Sequence, residues 1–229
     1  MMKNIVVTNL HKIYEEGSVK VHAVNGVNLS VDAGQMVLLM GPSGSGKTTL
    51  LSMMGCILKP TEGYVTIMGE DITSWDEDFL PMIRRKYIGF VFQQFNLLST
   101  LTASENVEAS LNLKGVKGKA AERVSRELLQ QVGLGDRCDF LPRDLSGGEK
   151  QRVSIARALA GNPSIILADE PTGNLDSENG RIAIEILKNL ASRENKSVVV
   201  VTHDSRIRDL ADSIYYIQDG VLQNGYHGS

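Results

Sequence analysis

No stretch of this sequence approaches the roughly 20 consecutive apolar residues that a membrane-spanning helix requires, and uninterrupted runs such as Val198–Val201 are of strand length. The chain is therefore not expected to cross a bilayer by itself. Cysteine is scarce, and the two present, Cys56 and Cys138, form no metal-type cluster. The segment MMKNIVVTNLHK has neither the apolar core nor the small-residue cleavage site of a secretion signal. A reducing, cytosolic setting is the expectation. There is no surplus of positive charge either: 24 Lys+Arg face 27 Asp+Glu for a net charge of -3, which argues against a protein whose main task is to neutralise nucleic-acid phosphates. Internal repeats and low-complexity segments are also missing. What is present is a globular composition, 42% hydrophobic and 22% charged, with 22 glycines in 229 residues. That length supports one large domain or a domain with an insertion.

The first third reads as strands over Ile5–Leu10, Val19–Val24, Val27–Val31 and Val37–Met40, separated by polar or glycine-containing breaks. An antiparallel or mixed sheet is expected there. After Met40 a glycine-rich turn leads into Thr48–Leu58, an apolar stretch of helical length. Strand character returns at Tyr64–Met68 and Tyr87–Phe92. Between these, Ser74–Lys86 carries acids first and bases last, as a helix macrodipole favours. From Gln94 to about Arg143 no strand-like run appears, and Ala120, Val124, Leu128 and Val132 recur at helical spacing. This region reads as a helical insertion in an α/β core. Ile165–Ala168, a helix over Ile182–Leu190 and Ser197–Thr202 then make a β-α-β crossover, and Ser213–Gln218 with Val221–Gln223 reads as a hairpin around Asp219-Gly220.

Three motifs carry chemistry. Gly41-Pro42-Ser43-Gly44-Ser45-Gly46-Lys47-Thr48 fits G-x-x-x-x-G-K-[ST] and is followed by Thr49. Its glycines let successive N–H groups turn inward around a phosphate at a helix N-terminus, while Lys47 and Thr48 supply a cation and a magnesium-ligating hydroxyl. The preceding strand gives this loop the context it needs. Ile165-Ile-Leu-Ala-Asp169-Glu170 is an apolar strand ending in two acids at the carboxyl edge of a parallel sheet, where open α/β folds bind ligands. One acid is suited to hold magnesium through water and the other to orient an attacking water. Leu145-Ser146-Gly147-Gly148-Glu149 opens a helix over Lys150–Ala160. Ser146 with Glu149 forms a capping box, whereas Gly147 and Gly148 lower helix propensity and leave N–H groups bare, pointing to a second phosphate contact.

With these motifs the chain resembles the ATP-binding subunit of an ABC transporter, in which LSGGE is the signature sequence. The resemblance spans essentially the whole chain. It implies an α/β fold of the P-loop NTPase, ABC ATPase type, with a RecA-like core, an N-terminal antiparallel β subdomain and an inserted helical subdomain. Residues 1–229 would be one ABC ATPase domain, with 1–93 and 160–229 as the nucleotide-binding core and 94–159 as the helical subdomain carrying the signature. It also implies that Gln93 contacts magnesium and the lytic water, that Asp176 in Asn174-Leu175-Asp176 belongs to the D-loop, and that His203 contacts the γ-phosphate. Tyr14, in the loop after the first strand, would stack on adenine. Each of these four has an ordinary structural reading as well: a strand-end glutamine, a helix N-cap at Asp176, a surface or core histidine, a packing tyrosine.

The resemblance implies ATP and Mg2+ as cofactors, with Thr48, Gln93 and Asp169 on the metal. It further implies a head-to-tail homodimer in which ATP on one chain's phosphate loop is capped by Ser146, Gly147 and Gly148 of the other. Glu170 would act as base or water-orienting group, assisted by Lys47 and His203. A longer first hairpin Tyr14–Ala23, Phe90-Val-Phe-Gln-Gln-Phe-Asn-Leu-Leu with Leu101-Thr-Ala-Ser-Glu-Asn, and Ala168-Asp-Glu-Pro-Thr-Gly-Asn-Leu-Asp are similar to the MacB/LolD branch of macrolide and peptide exporters and lipoprotein-releasing complexes. That resemblance would place the chain on the cytoplasmic face of the membrane through an integral membrane permease, with a periplasmic or extracytoplasmic adaptor in the export reading, while the acidic balance speaks for no nucleic-acid partner. The alternative reading is an ATPase whose permease-like partner moves nothing and signals across the membrane to cell-wall hydrolases.

Overall fold

The computed structural model describes residues 3–17 and 19–227. Two sheets and a set of helices enclose two apolar cores. In the first sheet β1 (Lys3–Glu16) and β2 (Val19–Asp32) form a long antiparallel ladder, joined on the far side of β1 by β4 (Glu62–Ile67) and then β5 (Glu70–Asp71). The second sheet has six strands, and in it β3 (Met36–Met40) lies between β8 (Ser197–Thr202) and β9 (Ser213–Gln218). Beyond β8 come β7 (Ile165–Asp169) and β6 (Ile88–Phe92), and β10 (Val221–His227) closes the opposite edge. All these pairings are parallel except β9 with β10.

The β3 sequence is apolar at every position because both its faces are covered, as parallel strands require. Val37 and Leu39 face α1 (Lys47–Met54), which is sandwiched between the sheets with Leu50, Met53 and Met54 against Ile5, Val65 and Ile67. Met36, Leu38 and Met40 face the other core, shared with helices α3 (Ala103–Leu113), α4 (Lys119–Gln131), α5 (Gly147–Ala158) and α6 (Ser177–Glu194). The remaining helix, α2 (Leu80–Tyr87), follows a 3-10 turn at Glu77–Phe79 and leads into β6.

The structure departs from the sequence reading in several places. Val37–Met40, expected with the antiparallel or mixed sheet of the first third, is β3 of the other sheet, between two parallel neighbours. The two strands expected at Val19–Val24 and Val27–Val31 are one strand, because Asn25-Gly26 is a bulge and not a turn. Leu10 pairs with Val27 and Lys12 with Val24, so two residues of β2 oppose one of β1. The N–H of Asn25, freed from the ladder, donates to the carbonyl of Gly220 at 2.8 Å. The first strand runs on through Tyr14, which lies opposite Val21 and not in a loop; Ser18, within the expected hairpin, is outside the described residues. The helix expected over Ser74–Lys86 begins later, with Pro81 in its first turn, where a missing N–H costs nothing. The fully buried residues of α4 are Ala121, Ser125 and Leu129; of the expected apolar spacing, Val124 and Leu128 pack half-buried beside them, Val132 is buried at the helix end and Ala120 is exposed. Ser125 is fully buried and its hydroxyl is hydrogen-bonded to that of Ser104 at 2.6 Å, so a polar residue holds a core position.

Candidate active site

The turn between β3 and α1 folds as a closed loop for identifiable reasons. Gly41 and Gly46 have φ of 151° and 98°, and a Cβ on them would stand 2.1 Å from the Ile217 carbonyl oxygen and 2.0 Å from that of Ala23. No side chain larger than hydrogen fits either place. Gly46 is the N-cap of α1 and no side chain caps this helix, so the N–H groups of its first turn remain available. The Lys47 ammonium, 7% exposed, holds the loop from within by donating to the carbonyls of Gly41 (3.0 Å) and Pro42 (2.7 Å). From outside, the Gly220 N–H in the β9–β10 turn donates to the Ser45 carbonyl at 3.1 Å.

Opposite this loop lie the ends of three parallel strands. At the end of β7 the Asp169 carboxylate accepts a hydrogen bond from the Thr48 hydroxyl at 3.1 Å. Burial pushes the Asp169 carboxyl above its ordinary pKa, the Glu170 charge adds to this, and the Thr48 hydroxyl and Lys47 oppose it. Glu170 follows with a left-handed backbone, φ 44°, fixed by its N–H donating to the Val201 carbonyl on β8 at 2.9 Å. A non-glycine residue held there is a strained position of the kind found at functional sites. Its Oε1 is hydrogen-bonded to His203 Nδ1 at 2.9 Å, and its Oε2 is buried with no protein partner. Gln93, just past β6, has its carbonyl held by the Asn174 amide at 2.8 Å.

These groups surround one cleft of about 610 Å³, lined by residues 43–49 together with Gln93, Asp169, Glu170, His203 and Ala23. The oxygen set fits a hard cation: a hydroxyl and a carboxylate at bonding distance from each other, beside a buried carboxylate oxygen without a partner. Among the described residues no three of His, Cys, Asp and Glu converge as an all-protein metal site. The Thr48 and Asp169 oxygens suit an ion such as Mg2+, which is bound by one or two protein oxygens and completed by phosphates and water.

The remaining expected residues lie elsewhere. Gly41 and Pro42 grip Lys47 from behind the cleft. Tyr14 is 43% exposed on β1, with the Lys12 ammonium 5.4 Å from its ring centre. Ser146, Gly147, Gly148, Glu149 and Asp176 do not line the cleft. Ser146 is the N-cap of α5 in a reciprocal capping box with Glu149, whose carboxyl is held below its usual range by the Ser146 N–H and by Arg137. Gly148 has a packing reason as well, since a Cβ there would meet the Asn179 side chain at 2.2 Å. Asp176 caps α6, accepting from the Asn179 N–H at 2.9 Å. Ala23 escaped the sequence reading because a small residue in a strand carries no signal, and the hold of Asn174 on the Gln93 carbonyl because it needs the fold.

A family model described as ABC transporter matches residues 24–173. The chain belongs to this family. An uncharacterized ABC transporter ATP-binding protein of Thermotoga maritima is 47% identical over 223 residues, covering 97% of this chain and 95% of that protein. The macrolide export ATP-binding/permease protein MacB of Salmonella typhimurium is 45% identical over 214 residues, 93% of this chain but only 33% of that longer protein. The ATP-binding cassette MJ0796 of Methanocaldococcus jannaschii, solved as a dimer in a post-hydrolysis state bound to ADP and Pi, superposes with a TM-score of 0.89 at 44% identity. That match covers 97% of this chain and 98% of the cassette. The chain is thus an ABC transporter ATPase with the cassette fold, and the cleft is the candidate site of its hydrolysis. No helix of the ABC ATPase is long and apolar enough to cross a membrane among the described residues.

Proposed function

We propose that this ABC ATPase binds ATP with Mg2+ in the cleft, pairs head-to-tail with a second copy and drives a separate membrane permease of the MacB/LolD export type. One observation carries the pairing: the phosphate loop, Gln93, Asp169, Glu170 and His203 share a cleft from which the signature residues 146–149 of the same chain are absent. One chain then holds half of each site, and Ser146, Gly147 and Gly148 cap the ATP of the partner. Lys47 is freed from its loop carbonyls to meet the phosphates, and Thr48, Asp169 and Gln93 hold the metal. The metal, when bound, neutralises charge on the phosphates. Glu170 accepts the proton of the attacking water, and His203 steadies both Glu170 and the terminal phosphate. Tyr14 is the adenine platform on an exposed strand face.

The reading extends to the domain plan, with 94–159 as a helical subdomain between 1–93 and 160–229. A groove of about 580 Å³ opens between α2 and β6 on one side and α3 and α5 on the other. It joins apolar Ile88, Phe90 and Leu113 to cationic Arg85, Lys114 and Arg157. Arg157 also donates to the Phe95 carbonyl at 2.6 Å, two residues after Gln93. A permease segment in this groove would be mechanically connected to the cleft, and it would hold the ATPase at the membrane.

The test is Glu170→Gln. Removing the carboxylate while keeping its shape lowers kcat by roughly 10²- to 10⁴-fold with ATP binding retained, and an ATP-dependent dimer accumulates on gel filtration. Monomer alone in the presence of ATP overturns the pairing.

A further inference from the structure

His203 is followed by Asp204, whose side chain is 12% exposed and is bound three times by one residue. Asp204 Oδ1 accepts from the Arg206 N–H at 3.0 Å and from its Nε at 2.8 Å, and Oδ2 accepts from Nη2 at 2.8 Å. The remaining nitrogen, Nη1, donates to the hydroxyl of Ser177, the first residue of α6. A planar guanidinium with donors on two edges suits such a bridge, which a lysine ammonium does not reproduce. Next to Ser177, the Asp176 carboxylate accepts from the Asn179 side-chain amide at 2.7 Å. The Asn179 side chain in turn lies directly against Gly148 at the head of α5. A second strut, Arg181 to Asp209 at 2.9 Å, ties α6 to the same 3-10 segment, Ser205–Leu210.

We propose that Arg206 is a positioning residue that fastens the His203–Asp204 loop to the start of α6 and, through Asp176 and Asn179, to Gly148. The hydrolytic cleft of one chain and the turn it presents to its partner then move together. Arg206 touches no reacting atom in this scheme. It acts by fixing the angle at which His203 meets Glu170, whose hydrogen bond lies one residue upstream of the clamp. The inference rests on the reading that each chain's Gly147-Gly148 turn caps ATP on the other chain. A local purpose alone, capping the 3-10 segment, is served by Asp204 and the Arg206 N–H. It leaves the reach across 29 positions to Ser177 unexplained.

The experiment compares Arg206→Ala, Ser177→Ala, Ser177→Thr and the double alanine variant by steady-state ATP hydrolysis and thermal melting. Both single alanine variants are expected to lower kcat by roughly three- to tenfold, with KM for ATP within about twofold because the phosphate loop is untouched. The double variant is expected to be no worse than the weaker single one, since both changes cut the same bridge. Ser177→Thr keeps the hydroxyl and retains wild-type kcat. Tm stays within about 2 °C in the Ser177 variants, whereas Arg206→Ala lowers it somewhat further by leaving the nearly buried Asp204 carboxylate without its guanidinium. Wild-type kcat in either single alanine variant, additive losses in the double, failure of Ser177→Thr to retain activity, or a parallel change in KM and Tm overturns the assignment. Failure of the pairing itself is read separately, as absence of an ATP-dependent Glu170→Gln dimer with Arg206 and Ser177 intact.

Discussion

Two helices of this ABC ATPase begin with glycine-rich turns, and the two turns are built in opposite ways. At α1 the cap is a left-handed Gly46 with no side-chain hydrogen bond, and the loop is held by neighbouring backbone and by its own lysine. At α5 the cap is Ser146, which takes the N–H of Glu149 at 3.2 Å while Glu149 returns the bond to the Ser146 N–H at 2.8 Å. The first arrangement spends no donor of the helix start and leaves an enclosed cradle for phosphate. The second satisfies one donor internally, through a reciprocal bond between its own side chains and backbone. A glycine before a helix is therefore not one signal. What distinguishes the two is which atoms a Cβ would strike: backbone carbonyl at Gly46, the end of a side chain at Gly148.

Substitution at the two glycines tests this contrast most severely. Gly46→Ala forces an L-residue to φ 98° with its Cβ 2.0 Å from the Ala23 carbonyl. The loop must open, and calorimetric titration is expected to show ATP affinity reduced by at least about 100-fold, an energetic penalty of roughly 3 kcal/mol. Gly148→Ala meets the Asn179 side chain, whose Oδ1 would stand at 2.2 Å and Cβ at 3.0 Å, so that side chain must shift on its contact with Asp176 while the backbone of the turn is not struck. Affinity of the single chain for ATP should stay within about twofold, while the ATP-dependent dimer of the Glu170→Gln protein weakens by about tenfold, or roughly 1.4 kcal/mol. Equal loss of ATP binding in both variants would erase the distinction.

Ser146→Ala sharpens it at smaller scale. Loss of the cap costs about 1 kcal/mol and lowers Tm by roughly 2–4 °C, with ATP binding to the chain's own cleft unchanged. The smallest effect is on pH. Because the folded protein holds the Glu149 carboxyl below its ordinary value, the stabilisation is complete above the ordinary carboxylate range and fades as pH falls through it. The Tm difference between wild type and Glu149→Gln should be constant near neutrality and shrink on acidification. A difference that widens in acid would contradict this account of the cap.

Much of the candidate site was legible because its residues sit where one strand ends. Gly41 to Thr48 and Asp169-Glu170 each occupy a short segment whose spacing alone states a chemistry, and parallel strands bring such segments to one edge. The bulge at Asn25-Gly26 was not legible, because the dipeptide that marks a turn in sequence also suits a bulge, and only the partner strand decides between them. The centre of the α4 face was not legible because Ser125 is buried there through a hydrogen bond to Ser104, which no apolar periodicity reports. Tyr14 read as a loop residue for want of any local mark that the ladder continues past Leu10.

The sequence by itself determined which groups are candidates for the chemistry, since a phosphate-loop pattern and a strand-end acid pair are defined by covalent neighbours within a few residues. It also determined that part of the sheet is parallel, through the strand–helix–strand order of Ile165–Ala168, Ile182–Leu190 and Ser197–Thr202. Tertiary structure decided what holds these groups. The Ile217 and Ala23 carbonyls walling the loop, the β9–β10 turn supporting Ser45, and the Asp204–Arg206–Ser177 bridge all join positions far apart in the chain. It also decided that the signature turn stands outside its own chain's cleft. Local spacing fixes chemistry because bond lengths are short, whereas support and orientation come from contacts that exist only once distant segments have packed.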